Sequence, residues 1–243
     1  MDRLIYLSMG GAKAAMARQD VLAHNLANVS SNGFRAEMAA HRAVPVRGDG
    51  ATTRVYALET TVGYDQAPGP LQTTGRNLDV AMKGNAWLAV QGLDGTEAYT
   101  RAGSLEVNTE GLLVTQTGLP VNGDGGPITV PTGATVQVAA DGTLSAQVGS
   151  GPRQTVGRLK LVTPTDETPL KRGDDGLFRN PDGDLPADAT ARLQDGALEG
   201  SNVSAVETMV AMISAARHFE SQMKLISTQE RQEQQAARLL SPN

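Results

Sequence analysis

The chain has 243 residues, a formal net charge of -5, no cysteine, and only 3% aromatic residues. That length suits one large domain or two modest ones. The acidic balance argues against nucleic-acid binding, which needs a basic patch, and the missing cysteines exclude disulfides, thiolate nucleophiles and cysteine-based zinc sites.

So few aromatics argue against a single dense core and for apolar surface buried against neighbours. His24, His41 and His218 are scattered and suggest no metal cluster. No run of about 18 apolar residues occurs, so the chain is not expected to be membrane-embedded. The apolar run Leu4 to Met9 falls short of a secretory signal core.

Glycine and proline divide the chain in three. Residues 48–200 hold 24 of the 27 glycines, and residues 45–186 hold 11 of the 12 prolines. Both residues break helices, so helices are expected only at the two ends. The fold class expected is α+β: paired, coiled-coil-like terminal helices with an inserted all-β domain and an extended arm. Its boundaries are 1–35 with 201–243 for the helical domain, 36–75 for the arm and 76–200 for the β-rich domain.

At the N-terminus, Ile5, Met9, Ala12, Met16, Gln19, Ala23 and Leu26 alternate spacings of four and three. They form one stripe on a helix over residues 3–29, about 40 Å long. Asn32-Gly33 supplies a stop, because both residues tolerate the left-handed conformation. Asn25 and Asn28 share a side of that helix near its end, where their amides can satisfy backbone groups there or across a subunit boundary.

Residues 36–75 have few periodic apolar positions and carry Pro45, Pro68 and Pro70. They read as an extended arm ordered by neighbours. From Glu97 onward the chain reads as short strands. Leu105-Glu106-Val107 and Leu112-Leu113-Val114 flank a glycine-containing loop. Asp141-Gly142 marks a second hairpin, and Leu159 to Val162 a further strand. Trp87, the single tryptophan, is expected to anchor the β domain.

At the C-terminus, Met209, Met212, Ala216, Phe219, Met223 and Ile226 repeat the same spacing. Ser204 to Glu207 reads as a capping box. A helix over residues 203–239 spans about 55 Å. Its stripe fails at Glu230 and Glu233, where water or a partner must take over. Ile5, Met9, Met16, Asn25, Leu26, Asn28, Met209, Met212, Phe219, Met223 and Ile226 are the expected assembly-interface residues. Isolated helices are marginal in water, so both ends are expected to order fully only on assembly.

Little chemistry stands out. Ser221-Gln222-Met223-Lys224 matches S-x-x-K, but the companion S-D-N and K-T-G motifs are missing. The Asp- and Gly-rich loops at 122–126 and 180–184 lack the ligand spacing of a calcium site. No catalytic residue, metal or cofactor is expected. The residues alone leave open a self-assembling structural protein, a secreted hydrolase with a β domain, or an adhesin-like binding module.

Four blocks carry a resemblance. Ala23 to Arg35 (AHNLANVSSNGFR) resembles the N-terminal pattern of flagellar rod and hook proteins. Leu78 to Gly84, Tyr99 to Gly103 with Gly111 to Thr115, and Leu198 to Val203 resemble later blocks of that family, in family order. Met1 to Tyr6, Trp87 to Gln91 and Gly173 to Arg179 are most similar to proximal-rod members, with distal-rod members next. The departures are His24, where many relatives have Asn, and Asn85-Ala86-Trp87-Leu88 in place of a Gly-Phe-Phe block.

The resemblance implies a structural subunit of the proximal rod in the basal body. Such proteins stack helically into the drive shaft that crosses the periplasm and transmits torque. The terminal helices would line the inner tube, and the β domain would form the outer layer. Implied partners are further copies of the chain, other rod proteins (FlgB, FlgC, FlgG, FliE) and the flagellar type III export apparatus that passes the chain unfolded.

Overall fold

The computed structural model describes residues 2–45 and 55–240; the side chains at 2–5, 41, 43, 55–62 and 236–240 fall outside that description. The architecture is α+β, with one helix at each end and a β-rich middle. Two compact units emerge. The first comprises residues 1–29, 36–65 and 203–243, and the second residues 30–35 and 66–202.

The first unit contains α1 (Asp2–Ala27), β1 (Glu37–Pro45), β2 (Val55–Tyr64) and α2 (Ala205–Leu240). Helix α1 ends before the Asn32-Gly33 stop. The Asn28 amide donates to the carbonyls of His24 and Asn25, and its side-chain amide caps His24 as well, at 3.0 Å. The polar Asn28 thus takes up the last carbonyls of the helix. At the other end, the Ser204 carbonyl accepts from both the amide and the hydroxyl of Thr208 as α2 begins.

The segment expected as an extended arm is in large part an antiparallel ribbon. β1 and β2 pair from Glu37↔Tyr64 to Pro45↔Val55, with an irregularity between Ala39 and His41. A two-stranded ribbon closed by its backbone ladder needs no apolar alternation, which is why periodicity did not reveal it.

In α1, Gly11 faces Gln222 of α2: a methyl there would stand 3.1 Å from the Gln222 side chain. That contact lies 16 residues before the end of α1 and 17 after the start of α2. The chain on either side of the two helices is joined by the Gly33–Glu199 and Asn202–Phe34 backbone bonds. The helices therefore run antiparallel. Beyond the Gly11 contact α1 has 9 residues left and α2 has 18, so α2 overhangs by about 13 Å at 1.5 Å per residue. Glu230 and Glu233 come where α1 runs out.

The second unit is built of short strands: β3 (Leu71–Thr73), β4 (Val80–Met82), β5 (Trp87–Gln91), β6 (Glu97–Thr100), β7 (Leu105–Val107), β8 (Leu113–Thr115), β9 (Asn122–Gly123), β10 (Gly126–Pro127), β11 (Ala134–Val138), β12 (Thr143–Val148), β13 (Gln154–Arg158), β14 (Leu161–Val162), β15 (Lys171–Arg172), β16 (Phe178–Arg179), β17 (Leu193–Asp195) and β18 (Ala197–Glu199). The largest sheet runs β14-β5-β6-β16-β15, and β11-β12-β13 form a second. Both expected hairpins occur, as β7–β8 and β11–β12. In the first, Asn108 Oδ1 accepts from the amides of Glu110 and Leu112. Asp141 does the same for Thr143 in the second.

This unit has a contiguous core despite the scarce aromatics. Val80, Leu88, Val90, Leu105, Leu113, Val121, Leu144, Leu159 and Leu193 pack together, buried. Leucine and β-branched side chains fill interior volume without rings, so the aromatic content was a poor guide to packing here. Trp87 is buried beside Phe178, with ring centroids 4.6 Å apart and the Arg101 guanidinium 5.8 Å over its ring.

Candidate assembly surfaces

Both helices sort their side chains by size. On α1, Ala12 and Ala15 are buried and Ser8, Gln19, Leu22 and Leu26 are half-buried. On α2, Thr208 and Ala215 are buried, and Met212, Phe219, Gln222, Ile226 and Gln229 are half-buried. Both sets alternate spacings of four and three, as a helix seam requires. Small residues at Ser8, Gly11, Ala12 and Ala15 let the helix axes come close, since interaxial distance follows side-chain size.

Most methionines of these helices lie elsewhere. Met9, Met16, Met209 and Met223 are about half exposed, joined by Tyr6 on α1 and by Val206, Val210, Ile213 and Leu225 on α2. The stripe read from the sequence therefore straddles two faces. Its Ala12, Gln19, Leu26, Met212, Phe219 and Ile226 turn inward, and its Met9, Met16, Met209 and Met223 turn outward. The side chain of Ile5 lies outside the described residues.

Asn25 is buried and bonds β1 through both its amide nitrogen and its amide oxygen. Its Nδ2 donates to the Glu37 carbonyl at 2.9 Å, and its Oδ1 accepts from the Glu37 amide at 2.8 Å. The side chain thus does the work of one more strand residue. His24 Nδ1 lies 3.0 Å from the Glu37 carboxylate, which completes the attachment of the ribbon to α1.

The second unit holds an ion cluster that inspection of the sequence missed. Glu199, on β18, is 1% exposed and receives two guanidiniums. Arg35 Nη2 lies 2.7 Å from its Oε1, and Arg101 Nη2 lies 2.7 Å from its Oε2. Arg101 also donates through Nε to the same carboxylate, and to the carbonyls of Met82, Gly84 and Ala86 at 2.8–3.0 Å. Burial pulls the Arg101 pKa below its ordinary value, opposed by the Glu199 charge. Losing one partner from such a site costs about 3–5 kcal/mol, because a buried charge is left alone.

Glycines make the cluster possible. Gly33 has φ +69 and lies against the backbone of Arg101, where a side chain does not fit. Gly103 lies against the Val80 carbonyl in the same way. These positions sit in the Asn32-Gly33-Phe34-Arg35 and Tyr99-Thr100-Arg101-Ala102-Gly103 blocks. The signal was a charged residue flanked by glycine in each block, including Leu198-Glu199-Gly200. Only the fold reveals that the three meet.

Elsewhere the polar groups serve their own loops. Ser221 donates to the Arg217 carbonyl one turn back, and Asn180 Oδ1 accepts from the Asp182 amide. A cavity of about 450 Å³ beside Lys160 and Asp188 is lined by polar loops. No helix among the described residues is long and apolar enough to cross a membrane.

Comparison with known proteins accounts for most of this construction. Residues 5–35 match the family of flagella basal body rod proteins. Residues 81–146 match the flagellar hook protein FlgE/F/G D1 domain, and residues 194–239 the flagellar basal body rod FlgEFG protein C-terminal family. Arg35, Arg101 and Glu199 come one from each matched segment. The chain is 48% identical to flagellar basal-body rod protein FlgF of Escherichia coli and 47% identical to that of Salmonella typhimurium, covering 99% of both chains in each case. It is 31% identical to flagellar basal-body rod protein FlgG of Bacillus subtilis, over 94% of this chain and 95% of the relative. Two end helices around a β-rich middle, three family segments in order and full-length identity near one half lead to one conclusion: the chain belongs to the flagellar basal-body rod protein family, on its FlgF side.

Proposed function

We propose that the chain is a structural subunit of the flagellar basal-body rod, without enzymatic activity, that polymerises helically in the proximal rod and transmits torque across the periplasm. The observation that carries this reading is the outward apolar stripe on both end helices, in segments that match rod families. A stripe of half-exposed Met, Val and Ile on a protein of this charge marks a contact surface. The greater identity to FlgF than to FlgG relatives favours the proximal over the distal rod.

In this reading residues 1–35 and 201–243 pair in coiled-coil fashion and line the inner tube. Residues 36–75 reach neighbouring subunits, and residues 76–200 form the outer layer. Ile5, Met9, Met16, Asn25, Leu26, Asn28, Met209, Met212, Phe219, Met223 and Ile226 serve assembly in two ways: the inward members hold the pair, and the outward members meet the next subunit. The partners are further copies and the rod proteins FlgB, FlgC, FlgG and FliE, after export unfolded through the type III apparatus.

Electron microscopy of concentrated protein, alone and mixed with other rod subunits, tests the proposal. Rod-like polymers are the expected outcome. A monomer at every concentration and in every mixture would refute it, and hydrolytic turnover by that monomer would favour an enzyme instead.

A further inference from the structure

The segments that lead out of α1 and into α2 meet on a single carboxylate. Residues 30–35 follow α1, and residues 199–202 precede α2. Gly33 donates its amide to the Glu199 carbonyl at 2.7 Å, and Asn202 donates its own to the Phe34 carbonyl at 3.3 Å. Asn202 Nδ2 reaches the Ala67 carbonyl at 2.9 Å, and Gly69 donates to Glu199 Oε1 at 2.9 Å. Phe34 lies under the Arg172 guanidinium, 4.7 Å from its ring centroid.

We propose that Glu199 is a two-sided latch: residues 30–35 and 199–202 dock onto the β unit, and leave it, as one cooperative event governed by the Arg35–Glu199–Arg101 charge balance. If residues 199–202 detached alone, Arg35 and Arg101 would remain as two buried cations without a counter-ion. Arg101 cannot follow Glu199 out, because three carbonyls hold its guanidinium. If residues 30–35 detached alone, Glu199 Oε1 would lose its cation, and the Asn202 amide its acceptor. Either half-open state leaves buried charge or polar groups unpaired, and such states are penalised most in a low-dielectric interior. The two stable conditions are both segments docked or both free.

The consequence lies in how the ends become available. The residues that deliver α1 and α2 are separated by more than 160 positions in sequence, yet they report on each other through one side chain. This holds whether or not the chain polymerises.

Amide hydrogen exchange on the full chain, read residue by residue, tests the latch. Arg35→Met removes one cation and leaves the Arg101–Glu199 pair balanced. In the parent chain Gly33, bonded to Glu199, and Gly200, bonded to Pro70, should open together; in the variant Gly33 should accelerate about a hundredfold while Gly200 stays protected. Leu113 and Val121, bonded deep in the core, should keep their protection. Unequal opening of Gly33 and Gly200 in the parent chain would overturn the proposal, as would no change at Gly33 in the variant. Arg172→Met serves as a second variant, because it loosens Phe34 without touching the three charges. Gly33 and Gly200 should still open together in it, as in the parent; opening of Gly33 alone would show that charge balance does not couple them. Glu199→Gln should open both sites. If it unfolds the β unit instead, the Leu113 and Val121 amides will show it, and Arg35→Met decides.

Discussion

Tyr99 shows how far one hydroxyl can reach. It donates to Glu97 at 2.8 Å and accepts from the Leu185 amide at 2.6 Å, and Glu97 in turn holds Lys160 at 2.7 Å. Burial pushes the phenol pKa well above its ordinary value. Tyr99→Phe strands the buried Leu185 amide, so a loss of about 1–3 kcal/mol is expected. The urea midpoint should fall with an unchanged slope; an unchanged midpoint would mean that water replaces the hydroxyl. Asp188 works by charge. The Thr163 hydroxyl, then the Thr190 hydroxyl and amide, hold its pKa down to about 2, from an ordinary 3.8. A depressed folded value stabilises the fold above the unfolded pKa, and that stabilisation fades as pH falls through 4 toward 2. Asp188→Asn should therefore flatten part of the melting-temperature decline between about pH 5 and pH 2. A decline as steep as the parent's would assign the acid sensitivity elsewhere. Because the site is open to solvent, the effect is expected to be small.

Among the elements, the two helices separate what a periodic pattern cannot. Met16 and Ala15 are neighbours, and both fit a seam by spacing. The tighter contact goes to the smaller residue, and hydrophobicity alone favours the larger. Residue size and the Gly11–Gln222 contact decide the face, and neither shows in a pattern of apolar positions. The hairpins at 105–115 and 134–148 were legible because their loops carry their own chemistry in Asn108 and Asp141. The ribbon at 37–64 was not, since a backbone ladder leaves no apolar rhythm. The cluster at Glu199 was not, because residues 35, 101 and 199 are brought together only by tertiary structure. Two substitutions on α2 separate its faces. Phe219→Asp places a charge in the inward seam and should lower far-UV helicity of the subunit itself. Ile213→Asp, on the outward face and 56% exposed, should leave the helicity and melting of the dilute monomer unchanged while abolishing polymers in sedimentation. Equal effects of the two on the monomer would contradict the separation of faces.

The whole molecule combines a β unit with a closed core and a helical unit whose apolar surface is left half open. Their stabilities should differ. Helices α1 and α2 span 26 and 36 residues, about a quarter of the chain. Their small-residue seam buries little area per turn, and helices of this kind lean on partners for stability. Far-UV circular dichroism should therefore lose helical signal on dilution, while the near-UV signal of Trp87, inside the β unit, stays constant. Full helicity at the lowest concentration would show that the pair needs no neighbour.

The unequal length of the helices has a last consequence. A pair with matched ends would look alike from either side, and two such pairs can meet face to face and stop. This pair presents a lone projecting helix at one end and two chain connections at the other. Where the projection meets the opposite end of the next pair, the contact is head-to-tail, a geometry that yields rings or open helices and not closed twofold dimers. About nine unmatched residues of α2 thus make the two ends of the pair unlike and give the subunit a direction.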